Sequence, residues 1–162
     1  MYLTPRFFAL WIALVLLIGL GYAVPLMFVV GRWMLGAFCL LLLLDMALLY
    51  HRTGIQAWRM MSERFSNGDD NEVDIRVESQ YPFSVRLQII DEIPPIFQRR
   101  DVLFKLRLLR REGKKVRYAL RPTVRGTYSF GHIRVFAQSP LGLLQRRFTL
   151  GTPCDVKVYP SY

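Results

Sequence analysis

Cysteine and histidine are scarce in this sequence. Its 162 residues hold two of each: Cys39 and Cys154, His51 and His132. One cysteine lies inside an apolar run and the other near the C-terminus, which excludes a disulfide framework. Neither histidine has a metal-ligand partner at helical or loop spacing. Also missing are a phosphate-binding GxxxxGK(S/T) loop, a GxSxG elbow and an HExxH pair. No serine or aspartate is set beside a general base, so an enzyme has no residues to rest on, and no cofactor is expected. Charge is missing in one long stretch: from Phe7 to Tyr50 only Arg32 and Asp45 carry it. Acids are short throughout, with 12 Asp and Glu against 22 Lys and Arg.

The uncharged stretch excludes both a purely soluble protein and a disordered tail. A bilayer core of about 30 Å needs roughly 20 apolar residues in a helix. Phe7 to Val24 supplies one such run, and Leu26 to Tyr50 a second. Pro25, after Gly19 and Gly21, punctuates them as a tight turn or as the first turn of the second helix. The expectation is a transmembrane α-helical hairpin over residues 1–52. Arg32 can snorkel and Trp33 can sit at the interface. A rival reading is a signal peptide cleaved after Ala23.

Arginines flank the hairpin at Arg6 before it and at Arg52, Arg59 and Arg64 after it, with only Arg32 near the turn. The positive-inside bias then predicts a multi-pass protein of the bacterial inner membrane with both termini cytoplasmic. Asp45 is the one acid at membrane depth, a functional candidate for proton or ion movement. Otherwise it hydrates near the interface, or pairs with Arg6 or Arg52.

Beyond the hairpin, residues 53–71 read as a juxtamembrane linker whose Trp58, Met60 and Met61 touch the interface. Ser66 to Asn71 is dense in turn residues. From Val73 the apolar period becomes two: Val73, Ile75 and Val77; then Val85, Leu87 and Ile89; then Val102, Phe104, Leu106 and Leu108. Val116, Tyr118 and Leu120 follow, then runs at 127–137, 143–150 and 155–159. Seven short strands separated by turn signals predict an all-β immunoglobulin-like sandwich over 72–162. Within 127–137 the phase slips at Gly131-His132, which predicts a β-bulge. His132 beside it reads as structural.

Eleven Lys and Arg fall between residues 99 and 125, against Asp101 and Glu112. A hairpin of 101–110 and 115–121 would bring Lys105, Arg107, Arg117 and Arg121 onto one basic face. Like charges opposed across strands cost stability, so such a face suits anionic lipid headgroups or an acidic protein. No nucleic-acid motif accompanies it, and no nucleic acid is expected.

The run RPTVRGTYSFGHIRVFAQSPLGLLQRR, residues 121–147, resembles the signature of the bacterial family called domain of unknown function fifty-eight. That pattern is an Arg-Gly-x-Tyr-x-Phe-Gly strand, a hydrophobic strand and a (Asp/Ser)-Pro-Leu-Gly-Leu turn. The paired apolar runs, RFSNGDDNEV at 64–73, Tyr-Pro-Phe at 81–83 and the terminal VKVYPSY are similar too. The resemblance implies a membrane hairpin, a β-sandwich and a following von Willebrand A-like domain, in proteins linked to MoxR-type AAA+ ATPases. The metal loop of such a domain, Asp-x-Ser-x-Ser, does not occur, so the expectation is a chain truncated before it. Arg125, Gly126, Tyr128, Phe130, Gly131, Pro140, Leu141 and Gly142 carry the resemblance and are assigned to turns, bulge and core. The function expected is a non-enzymatic membrane-anchored interaction module. The alternatives are an exported sandwich binding envelope ligands and a small membrane subunit using Asp45.

Overall fold

Proline presets the backbone angle of a first helical turn without leaving an amide unpaired, and both helices begin on one. The computed structural model describes residues 1–51, 54–97 and 102–160. Arg52, Arg99, Arg100, Asp101 and Tyr162, invoked above, lie outside the described residues. Two compact units emerge: Met1–Thr53 with Gln138–Arg146, and Gly54–Ala137 with Arg147–Tyr162.

In the first unit, α1 spans Pro5–Leu20 and α2 spans Pro25–Tyr50. Thr4 caps α1, its Oγ1 accepting from the Phe7 amide at 3.4 Å. The two helices pack as a hairpin around residues 21–24. Gly31 sets their approach, since a Cβ there would stand 2.7 Å from Ile18 Cγ1. Phe7, Trp11 and Phe38 form an aromatic cluster with centroid distances of 5.5 to 6.4 Å. Apolar side chains otherwise face outward, among them Leu16, Leu26, Leu40 and Leu43. Among the described residues only α2, at 26 residues, is long and apolar enough to cross a membrane. The first helix is 16 residues and ends four residues before the span expected from sequence. A short strand, β1 (Tyr2–Leu3), precedes it and pairs antiparallel with residues 144–145.

The second unit is a sandwich built on period-two burial. Its strands are β2 (Ile55–Met61), β3 (Arg64–Ser66), β4 (Asn71–Ser79), β5 (Val85–Asp91), β6 (Leu103–Leu108) and β7 (Gly113–Leu120). They continue with β8 (Gly126–Phe130), β9 (Ile133–Gln138), β10 (Leu144–Leu150) and β11 (Cys154–Tyr159), the last residue of β9 and the first three of β10 being counted in the first unit. One sheet runs β10-β9-β5-β6; the others are β2-β4-β7 and β3-β11-β8. Val73, Ile75 and Val77 of β4 and Val85, Leu87 and Ile89 of β5 are fully buried, the alternation that the sequence carries.

Three expectations need correction. The stretch 53–71 is no linker, because it contains β2 and β3, and β2 pairs along its whole length with β4. Residues 127–137 are not one bulged strand. Gly131-His132 carries the chain from β8, beside β11, to β9 in another sheet. The crossing is held by a residue distant in the chain: the Gly131 amide donates to Glu92 O at 2.9 Å, and a Cβ on Gly131 would run into the Glu92 side chain. The strands 103–108 and 113–120 also form no hairpin. β6 pairs with β5 and β7 with β4, joined by a turn in which Arg111 takes a left-handed φ of 51°.

Candidate functional site

Asp45 is fully buried in the first unit. One carboxylate oxygen accepts from Ser139 Oγ, and the other from the amides of Leu143 at 3.0 Å and Leu144 at 2.8 Å. Arg6, one of the alternatives the sequence offered as its partner, is exposed. Ser139 Oγ also accepts from the Gly142 amide at 3.1 Å, closing the Ser139-Pro140-Leu141-Gly142 turn on itself. From the other side Thr4 Oγ1 donates to Gly142 O at 2.6 Å, and the Thr4 amide to Leu143 O at 3.1 Å. The turn is thus held between the start of α1 and the last turns of α2. Gly142 is buried with φ 69°, a backbone that only glycine adopts without strain. Arg146 closes the helix end, its Nη1 donating to Leu49 O at 2.7 Å while its guanidinium lies 4.6 Å over the Tyr50 ring. A cation at a helix C-terminus complements the carbonyl dipoles there.

Residues 25–44 of α2 measure about 30 Å at 1.5 Å per residue, close to the thickness of a bilayer's hydrocarbon core, and Asp45 follows them. Arg32, by contrast, lies in the second turn of α2 and is exposed.

The second unit hides a charged network that sequence reasoning missed. Arg59 on β2 donates through Nε to Asp91 Oδ2 at 3.1 Å, and through Nη2 to Asp91 Oδ1 and to Gly131 O at 3.1 Å. Tyr118 OH donates to the same carboxylate. Arg59 Nη1 reaches Cys154 Sγ at 3.4 Å, and the guanidinium stacks 4.9 Å over Phe130. The ion-paired side chains are 4% and 0% exposed. Burial pushes the Tyr118 phenol well above its ordinary value, helped by the Asp91 charge. For Arg59 burial works against the charge, but the bonds and charge of Asp91 outweigh it and raise its pKa. Beside this network a groove of about 340 Å³ runs between Trp58–Glu63 and Gly151–Val156.

The basic residues do not share one face. Lys105 and Arg107 lie on β6, Arg117 on β7, and Arg121 just after it. Arg117 is spent on acids: its Nε donates to Asp74 at 2.8 Å and its Nη1 reaches Glu72 at 2.9 Å. Its bonds, with those of Lys115, hold the Asp74 carboxyl below the usual range. Arg121 donates to Gly68 O.

The signature residues serve the fold. Tyr128 is buried and its OH donates to Val124 O, four positions upstream, the tyrosine-corner arrangement of immunoglobulin-like sandwiches. Phe130 packs edge-on against Phe65 at 6.2 Å. Gly126 opens β8 opposite Val158, and Arg125 before it is exposed. Pro140 is exposed and Leu141 half-buried in the turn held by Asp45. His132 Nδ1 lies 3.0 Å from Gly151 O. Among the described residues no three His, Cys, Asp or Glu side chains gather around a metal position.

No known family and no characterised protein matches the sequence. Solved structures match in shape. The PapD-like domain 7 of human CEP192 aligns with TM-score 0.50 at 11% identity, over 68% of this chain and 88% of that one. A cohesin module from a Clostridium perfringens glycoside hydrolase aligns at TM-score 0.45 and 11% identity, over 68% and 100%. The CARDB domain of PF1109 from Pyrococcus furiosus gives 0.43 and 13%, over 65% and 87%. The likeness to the PapD-like domain shows the fold alone, an immunoglobulin-like sandwich.

Proposed function

We propose that this chain is a membrane-anchored, non-enzymatic interaction module whose helical hairpin holds an immunoglobulin-like sandwich at the bacterial inner membrane. The observation that carries this reading is the sealed carboxylate of Asp45. Upstream of it, α2 offers 20 residues without an acid; at it, the polar turn 139–142 satisfies the carboxylate with three donors. An acid placed at the end of an apolar span and capped in this way suits anchoring. A conduction role would need a carboxylate open to a pathway.

Thr4 and Asp45 hold the same turn, so the start of α1 and the end of the α2 span stand at one level. That supports a hairpin crossing twice, with residues 21–24 at the far headgroups and the slightly short α1 accommodated by local bilayer adjustment. It also supports an intact N-terminus, because cleavage after Ala23 would strip Thr4 from Gly142 and Leu143. The flanking arginines favour cytoplasmic termini; pairing Arg59 with Asp91 in the fold does not alter its weight during insertion.

Resemblance of residues 121–147 to the family called domain of unknown function fifty-eight supports a MoxR-type AAA+ ATPase as the partner system. Two experiments test the proposal. Alkaline carbonate should leave the full chain in the membrane pellet, and a co-expressed MoxR-type ATPase should co-purify with it. Release into the supernatant would overturn the anchor. Retention without co-purification would remove the ATPase partner.

A further inference from the structure

The second unit begins at Gly54, four residues after Tyr50 ends α2. Gly54 is thus separated from the apolar helix by only four steps along the chain. The structure defines its surroundings. Gly54 O accepts from the Gln80 amide at 2.8 Å, and a Cβ on Gly54 would run into the Tyr81 ring. Tyr81 O in turn accepts from the Arg111 amide at 3.2 Å, and Ser79 N donates to Glu112 O at 2.9 Å. The turn 109–112 is therefore fastened to the point where the chain enters the sandwich.

That turn and the strand ends beside it are basic. Arg110 and Arg111 are exposed. Arg107, at the end of β6, stands directly opposite Arg86 on β5, a like-charge pair that costs stability unless an anion joins it. Glu112 is the acid within the turn. It is engaged, accepting from the Leu109 amide at 2.6 Å and lying 3.6 Å from Lys114 Nζ. Among the described residues no carboxylate pairs with Arg86, Arg107, Arg110 or Arg111. Leu109 projects beside them, 58% exposed.

We infer that this end of the sandwich, formed by Arg86, Arg107, Leu109, Arg110 and Arg111, binds anionic phospholipid headgroups at the bilayer surface. Two observations select lipid over another polyanion: the four-residue chain separation between the apolar helix and this unit, and an exposed leucine among the cations. Arginines draw anionic headgroups by charge, and an apolar side chain adds burial at the headgroup–acyl boundary. The inference rests on the anchoring of α2 proposed above. It assigns the role to residues that share an end of the fold, two of which follow the expected basic strand and one of which lies on another.

The test uses the full chain in nanodiscs of phosphatidylcholine alone or mixed with phosphatidylglycerol. A fluorophore is attached through Leu109→Cys with Cys39→Ser and Cys154→Ser, and acrylamide quenching is measured. Phosphatidylglycerol should protect the fluorophore severalfold, and protection should vanish in high salt and in Arg86→Gln/Arg107→Gln/Arg110→Gln/Arg111→Gln. Equal quenching in both lipids overturns the inference. So does protection by polyglutamate in phosphatidylcholine discs without protection by phosphatidylglycerol, which would make the surface one for acidic proteins. A second label on the native Cys39, with Cys154→Ser, reports the anchor separately. If brominated lipid quenches it while the label at position 109 ignores phosphatidylglycerol, only this inference falls. If brominated lipid fails to quench it, the anchor falls and the inference with it.

Discussion

Asp45 and Ser139 stand 94 positions apart in the chain, yet the serine hydroxyl donates to the carboxylate in a fully buried site. The contact turns the acid of an apolar helix into the cap of a loop. Replacing Asp45 by Ala leaves one hydroxyl and two amides without an acceptor. At about 1–3 kcal/mol for each buried group left unsatisfied, and with incomplete additivity, a loss of about 3 kcal/mol is expected. Thermal unfolding in detergent micelles would show it as a clear drop in Tm. An unchanged Tm would mean that the carboxylate does not hold the turn.

Gly142 predicts a smaller effect at the same place. Its φ of 69° costs an L-residue roughly 1–2 kcal/mol, so Gly142→Ala should lower Tm by less than Asp45→Ala. The two changes should also fall short of additivity, because they act on one turn. Full additivity in a double-mutant cycle would argue that the turn and the carboxylate are independent.

Arg59 and Asp91 predict a different pattern. Removing one partner of a buried pair costs about 3–5 kcal/mol, whereas replacing both by apolar residues can be close to neutral. Arg59→Met and Asp91→Leu should each destabilise strongly, and the double variant should recover part of the loss. Recovery stays incomplete because Tyr118 OH then lacks its acceptor. Chemical denaturation of the four proteins checks it; a double variant as unstable as the sum of the singles would contradict the pairing.

Tyr118 adds a pH dependence. An unfolded tyrosine ionises near pH 10, while the folded phenol, held protonated by burial and by Asp91, ionises only above that. The unfolded state therefore releases the proton first as pH rises, and stability falls from about pH 10 upward. Tyr118→Phe should flatten that alkaline slope while lowering stability at neutral pH. At the acid end Asp74, held low by Arg117 and Lys115, works in the opposite sense. Its contribution is present at neutral pH and is lost as pH falls through its lowered folded value.

Much of this was legible in the sequence, and the gaps have physical reasons. The apolar runs and Pro25 announced the two helices, and the alternation from Val73 onward announced β4 and β5. β2 was not legible because its inward positions include Arg59 while Trp58 and Met60 point outward. Its pattern inverts the rule that apolar faces inward, and only the partner charge on Asp91, 32 positions away, makes sense of it. The phase slip at Gly131-His132 was visible, but a slip marks a bulge and a change of sheet alike. Pairing decides between them, and pairing depends on Glu92, far off in the chain. The basic face failed for the same reason, since adjacent strands in sequence joined different sheets. Asp45 stood out as the lone acid in an apolar run; that Ser139 and two amides would seal it needed the fold.

The central claim is that the hairpin anchors a cytoplasmic sandwich. Fusing alkaline phosphatase and a fluorescent protein separately after Tyr162 tests it most directly. The account predicts fluorescence without phosphatase activity in membrane fractions. Phosphatase activity without fluorescence would put the sandwich on the outer side and contradict the account, making envelope ligands its partners.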